Sequence, residues 1–314
     1  ILKLQKILLI LTNHLFYLLM KKRGLYGKKY TIKLKKIDAS YINTGIQTSK
    51  DQIYIIKDFK IDNKFIYFSK KGKKFKIEKK ICVPYLEKTK GIKNLSTLKE
   101  DSFLIFPYEL DIKKKTSLIQ LQDLKNNYPL TYSYFEEFKS DLVKRDISPP
   151  LNKLKNDYYK FGRAQNIFTL SFKPKIILTT MQRGDKYYID KTGIYYTAGG
   201  TAGHISIFNK NDKNYIYFLL GLLNQSEIEF FFEKRGSHKA GGYTTRGKNV
   251  LSDLPVPIIK NNSDQIHYNN IIKNVKKIIK EQDYKGSSTK EKLISKNQIN
   301  FLKIKITESF TSLW

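Results

Sequence analysis

A chain of 314 residues with 59 Lys and Arg against 28 Asp and Glu carries a formal charge of +31 at pH 7, which favours a polyanionic partner because each neutralised phosphate releases counterions. A lone cysteine, Cys82, excludes an internal disulfide and points to the reducing cytoplasm, and His14, His204, His238 and His267 stand too far apart for a zinc spacing. Lys, Ile, Asn and Tyr are abundant together, as AT-rich coding would produce, but that bias leaves the low acidic count unexplained.

The chain opens at Ile1, which suggests a truncated or split gene. Two apolar runs, Ile7–Leu11 and Leu15–Met20, are broken by Thr12-Asn13-His14. They fall short of the roughly twenty apolar residues that span a bilayer, and Lys21-Lys22-Arg23 follows where a signal peptide would carry a small-residue cleavage site. Residues 1–37 are therefore expected to be a helical remnant or docking segment, with no membrane partner.

From Asp38 the pattern changes to strands. Gln47, Thr48, Ser49 and Lys50 offer donors just before Ile53-Tyr54-Ile55-Ile56, which reads as a strand; Thr44-Gly45 alone would make a simple turn. Phe65–Phe68 and Phe75–Ile77 flank Lys70–Lys73 as a hairpin with one apolar and one cationic face. Leu104–Tyr108 reads as a further strand ended by Pro107. Ser133 and Glu136 have capping-box spacing ahead of a helix that places Phe135, Phe138 and Leu142 on one face. Asp146 to Pro150 stops that helix.

The second half contains a glycine-broken turn, Tyr196–Gly203, leading into His204–Ile207, then an apolar helix from Tyr215. Asn224 and Glu227 have capping-box spacing for a second helix over 227–234. Residues 235–248 then form a basic, glycine-rich and hydroxyl-rich loop. Its glycines permit close backbone approach, while Arg, Lys and hydroxyl groups donate to phosphates and base edges; a solvated surface loop has the same composition. The tail repeats Tyr268, Ile271, Ile272, Val275, Ile278 and Ile279 at helical spacing, breaks at Gly286–Thr289, and resumes near Leu293 to Leu313.

Five segments occur in an order that resembles one family: Tyr159–Asn166, Lys173–Ile177, the Gly199–Gly203 turn, Leu219–Asn224 and the Gly241-Gly242-Tyr243 loop. Over about residues 38–258 the chain resembles the specificity domain of TaqI-type adenine-N6 DNA methyltransferases, a domain also found in fused restriction-modification enzymes and BREX methylases. The resemblance implies duplex DNA as partner and a methyltransferase, with or without a nuclease, supplied upstream or in trans. S-adenosylmethionine would belong to that missing domain, and no cofactor is expected in this chain.

The catalytic motifs are not in these residues. Ser148-Pro149-Pro150-Leu151 approaches the Pro-Pro-aromatic segment that holds a flipped base, but Leu151 has no aromatic face, and no glycine loop suits the methyl donor. Glu78-Lys79-Lys80 and Glu137-Phe138-Lys139 match half of a metal-nuclease signature, with Asp62 as a conceivable partner, and in so lysine-rich a chain both arise by chance. Only six arginines occur, four of them at Arg163, Arg183, Arg235 and Arg246, and a retained arginine can mark a need for the planar fork that reads guanine.

The expectation is an α+β, β-rich two-lobed domain: first lobe 38–112, helical connector 113–149, second lobe 150–258 and C-terminal helices 259–314. Its DNA-binding candidates are Gln47, Thr48, Ser49, Lys50, Arg163, Gln165, Thr201, His204, His238, Lys239, Tyr243, Thr244, Thr245, Arg246 and Lys248. Arg163 could equally hold carbonyls or a carboxylate beneath the sheet. A stand-alone RNA-binding module and a membrane-surface protein using Lys21-Lys22-Arg23 are the competing readings.

Overall fold

The computed structural model describes residues 31–110, 116–151, 156–164, 166–184, 186–198, 203–284 and 289–314. The apolar N-terminal runs lie outside them. Helices and strands mix in an α+β fold around two hydrophobic cores.

The chain enters through β1 (Thr31–Lys33), β2 (Ser40–Thr44), a helical turn α1 (Asp51–Tyr54) and β3 (Ile55–Ile56). The strand expected over 53–56 is thus half helical turn. Thr48 fixes this locally: its Oγ1 accepts from the Lys50 N–H at 3.1 Å and donates to Asp51 Oδ1 at 2.5 Å. Next come β4 (Lys60–Ile61), β5 (Phe65–Lys70) and β6 (Lys73–Glu78), the expected hairpin plus one strand. Its turn residues Lys71 and Gly72 have φ of 48° and 78°, the mirror-image geometry that two-residue hairpins use.

β7 (Cys82–Leu86) and β8 (Ser102–Ile105) follow, then the paired β9 (Tyr108–Leu110) and β10 (Thr116–Leu118). Helices α2 (Leu121–Asn127), α3 (Pro129–Glu137) and α4 (Lys139–Val143) complete the connector. Phe135, Phe138 and Leu142 are buried as the spacing predicts. The helix starts at Pro129 rather than near Ser133, because proline needs no N–H partner there and Glu78 supplies the cap. The Glu78 carboxylate accepts the Leu130 and Thr131 N–H groups, both at 2.9 Å, and the Thr131 hydroxyl at 2.6 Å. Asp62 likewise accepts the Lys64 and Phe65 N–H groups at 2.7 Å, so Glu78 and Asp62 hold backbone, and Glu137, the third carboxylate weighed for a nuclease site, pairs with Lys73.

The second half runs α5 (Ile167–Leu170), β11 (Lys175–Thr179), β12 (Met181–Gln182), β13 (Tyr188–Asp190), β14 (Tyr195–Tyr196) and β15 (His204–Asn209). It continues with α6 (Tyr215–Leu223), α7 (Ser226–Arg235), β16 (His238–Lys239), β17 (Tyr243–Thr245), α8 (Lys248–Ser252) and β18 (Pro255–Pro257). The tail forms α9 (Asn262–Asp283) and α10 (Thr289–Leu313). Asn261 caps α9 by accepting the Asp264 N–H at 2.9 Å, and Ile271, Val275, Ile278 and Ile279 face the core. The capping box expected for α7 does not form: the Asn224 side chain donates back to the Leu220 carbonyl at 2.7 Å and accepts from Asn94 at 2.5 Å.

A four-stranded antiparallel sheet in the order β13-β11-β15-β2 is the frame of the molecule. All six residues of β15 are buried. The apolar α6 is covered by α9, and Gly221 allows the close crossing, since a Cβ there would sit 2.9 Å from Ile271 Cγ2 and 3.0 Å from Val275 Cγ2. A fully buried ion pair, Lys175–Asp190 at 2.6 Å, ties β11 to β13.

Three strands cross between the halves, the first being β1, which pairs antiparallel with β18. β2, from the first half, is the edge strand of the second half's sheet, and β14 pairs in parallel with β7 of the first-half sheet β14-β7-β8-β3. The boundary at residue 38 therefore falls within a region whose strand belongs to the later sheet.

Candidate functional site

The register of the central sheet decides which loops meet. Thr44 at the end of β2 pairs with Ile205 near the start of β15, and Leu178 and Thr179 at the end of β11 pair with Ile205 and His204. The exits of β2 and β11 and the entry to β15 therefore lie at one sheet end. Loop 45–50, residues 180–184 and Gly203, which enters β15, all lie at it.

The first assembly at this end is loop 45–50 with residues 158–163. The Gln47 carbonyl accepts the Arg163 N–H at 2.9 Å, and the Thr48 carbonyl accepts the Gly162 N–H at 3.1 Å. Arg145 locks the pair of loops: its guanidinium donates to the carbonyls of Thr48 (2.7 Å), Tyr158 (2.6 Å), Lys160 (2.9 Å) and Leu142 (2.9 Å). Gly162 is needed for the approach, because a Cβ there would lie 2.6 Å from Ser49 Cβ. The result brings Gln47 and Arg163 together, both exposed, beside partly exposed Ser49 and Lys50. Thr48 is 1% exposed and spends its hydroxyl on α1, so it presents no donor to a partner. A hollow of about 460 Å³ lies along this loop, with Thr197 and Ala198 on its far wall.

The second assembly is a three-stranded ribbon, β12-β17-β16, that continues directly from β11. Met181 and Gln182 pair with Thr245 and Thr244, and His238 and Lys239 pair with Thr244 and Tyr243. Gly241 and Gly242 turn the ribbon at φ of 77° and 74°, values that glycine adopts without strain. His238, Lys239 and Tyr243 are exposed on it, as is Lys248 at the start of α8. Arg183 is exposed beside the turn, with its Nε 3.8 Å from where a Gly242 Cβ would be. It was not among the sequence candidates, although its rarity as an arginine was a usable signal.

Three candidates in this region face inward. The Thr245 hydroxyl accepts the Ser237 N–H at 2.8 Å, and Thr244 is 4% exposed. Arg246 is fully buried, contrary to its expected role at a base edge. It pairs with Glu229 of α7 at 2.5 Å, donates to the Tyr187 hydroxyl, and stacks over the Phe232 ring at 4.6 Å. Its N–H bonds the Thr180 carbonyl at 2.7 Å, so it anchors the ribbon root to the sheet end. A guanidinium occupied in this way has no fork left for a partner.

His204 sits between the two assemblies and is only 2% exposed. Neither ring nitrogen has a hydrogen-bond partner among the described residues. Burial pushes its pKa down to about 4, so the imidazole is neutral at pH 7. Gln165 and Thr201 lie outside the described residues. Ser148-Pro149-Pro150-Leu151 ends with Leu151 packed on the first-half core.

No protein-family model matches the chain. Over 231 residues it is 32% identical to the type II restriction enzyme and methyltransferase RM.Eco57I of Escherichia coli, a match covering 71% of this chain and 23% of that protein. The chain thus spans about a quarter of the length of this curated relative. The fold is similar to that of the type IIL restriction-modification enzyme MmeI, solved in complex with DNA, with a TM-score of 0.55, 9% identity, and coverage of 91% of this chain and 34% of that one. By sequence the chain is related to part of a type II restriction-modification enzyme, and by fold it is similar to part of MmeI.

Proposed function

We propose that this chain is the DNA-specificity region of a restriction-modification methyltransferase of the adenine-N6, TaqI-like kind. The observation that carries the reading is the convergence of loops 45–50, 158–163 and 180–184 and the ribbon 238–245 at one end of the central sheet. Together they expose Gln47, Lys50, Arg163, Arg183, His238 and Lys239, groups that donate to phosphates and base edges. A surface made by several rigidly tied loops can hold a duplex in register, which a single solvated loop cannot. The relation to RM.Eco57I and the fold shared with a DNA-bound MmeI point the same way.

Methyl transfer would fall to a domain outside these residues, which would also bind S-adenosylmethionine. Among the described residues no helix is long and apolar enough to cross a membrane. The test is selection from a randomised duplex pool, with the methyltransferase partner present. The reading expects one enriched motif that blurs at single positions in Arg163→Ala and Arg183→Ala. Tighter binding to single-stranded RNA than to any duplex would favour the RNA-binding alternative.

A further inference from the structure

Below the sheet end lies a cleft of about 560 Å³, lined by residues of both lobes. Ile55 and Tyr85 give it a mainly apolar wall, and Thr179, Thr197 and His204 contribute polar groups from the sheet end. It shares Asp51, Gln52 and Thr197 with the hollow beside Gln47, so the two are continuous with the proposed DNA face. On its rim Lys57 is paired with Glu87 at 2.5 Å, whereas Lys88 and Lys90 are exposed.

His204 is the telling residue. A buried polar ring without partners is uncommon in native proteins and marks a place where another group belongs. Because burial keeps the ring neutral, it offers one donor and one acceptor and no charge. That does not suit a phosphate or carboxylate. It suits a flat, uncharged group whose edge mixes donors and acceptors, entering between apolar walls. A base still paired in a duplex is too broad to reach a side chain that is 2% exposed.

We propose that this cleft receives one unstacked nucleobase of the bound duplex, hydrogen-bonded at its edge by His204, with Lys88 and Lys90 on the flanking phosphates. This rests on the duplex-binding reading above and adds to it a place where the specificity region itself takes a base out of the stack. The adenine to be methylated would have its own pocket in the catalytic domain.

The experiment compares two duplexes that differ only in one bulged nucleotide, a purine in the first and an abasic residue in the second. The purine bulge should bind at least about tenfold tighter, roughly 1.4 kcal/mol. His204→Phe should erase the difference between the two duplexes. In parallel, adenosine 5′-monophosphate is titrated while the His204 ring resonances are followed by NMR, which requires neither a variant nor duplex binding. A shift there without duplex binding would sink the duplex reading and keep the cleft. Duplex binding with equal affinity for both bulges, and no His204 shift at millimolar nucleotide, would overturn the cleft and keep the duplex reading. A purine preference that persists in folded His204→Phe would also overturn it.

Discussion

Arg246→Ala is the substitution on which the sequence and the structure disagree most sharply. Read as a base-contacting arginine, it should leave folding untouched and relax specificity at one position. In the structure Arg246 is fully buried, bonded to Glu229 and Tyr187 and stacked on Phe232. Truncation removes the Arg246 guanidinium from the Glu229 carboxylate and opens a void beneath the ribbon. Breaking a buried ion pair costs about 3–5 kcal/mol, and because the Glu229 side chain is 24% exposed the lower end applies, about 3 kcal/mol. Arg246→Lys should recover only part of this, since one ammonium cannot reproduce the fork and its stacking. Urea denaturation followed by far-UV circular dichroism reads the change as a lower midpoint at constant slope. A variant as stable as the wild type that has lost selectivity at one base would refute the anchoring role and restore the base-reading one.

Three further outcomes follow from the same geometry. The folded-state pKa of His204, about 4, lies below its ordinary 6.5, so the unfolded chain binds more protons between those values. Its contribution is fully present above about pH 7 and falls by about 3 kcal/mol as pH drops through 6.5 towards 4, a loss that His204→Phe should lack in denaturation series run at stepped pH. Gly45→Ala should destabilise by at least about 2 kcal/mol, because the new Cβ would lie 2.5 Å from the Thr197 carbonyl carbon and 2.7 Å from the Ala198 nitrogen, backbone that cannot swing aside. Arg145→Lys replaces a planar fork that spans four carbonyls with a single ammonium of three donors, so amide exchange should rise at residues 47–50 and 158–163 together while the ribbon 238–245 is unchanged.

What was legible in the sequence was local. The β5–β6 hairpin follows from alternation around a glycine turn, and α9 from isoleucines at helical spacing. Thr48 was misassigned to a partner, although Thr48-x-x-Asp51 is itself a capping spacing. The long-range pairings were not legible. β2 meets β15 from 161 to 169 positions away, and nothing near either strand announces the other. Arg246 and Glu229 sit on separate elements 17 residues apart, so their union depends on how the ribbon docks, which composition does not encode. The same loop composition therefore contained both exposed donors, such as Lys239, and an internal anchor.

The central claim is that one end of the central sheet, rather than the overall charge of +31, binds duplex DNA. It is tested most directly by the salt dependence of duplex affinity in two charge-matched variants. In one, Arg163, Arg183, Lys239 and Lys248 at the sheet end become Gln. In the other, Lys210, Lys213, Lys273 and Lys277 become Gln; the first two follow the opposite end of β15, and α9 reaches the same side through Lys276, which donates to Asn214. At about 0.9 per phosphate contact, the first set should lower the slope of log affinity against log salt by about 2 through Lys239 and Lys248, with Arg163 and Arg183 at base edges, and the second should leave it near the wild-type value. Equal loss from both sets would contradict the claim, because binding would then follow bulk charge and not the assembled surface.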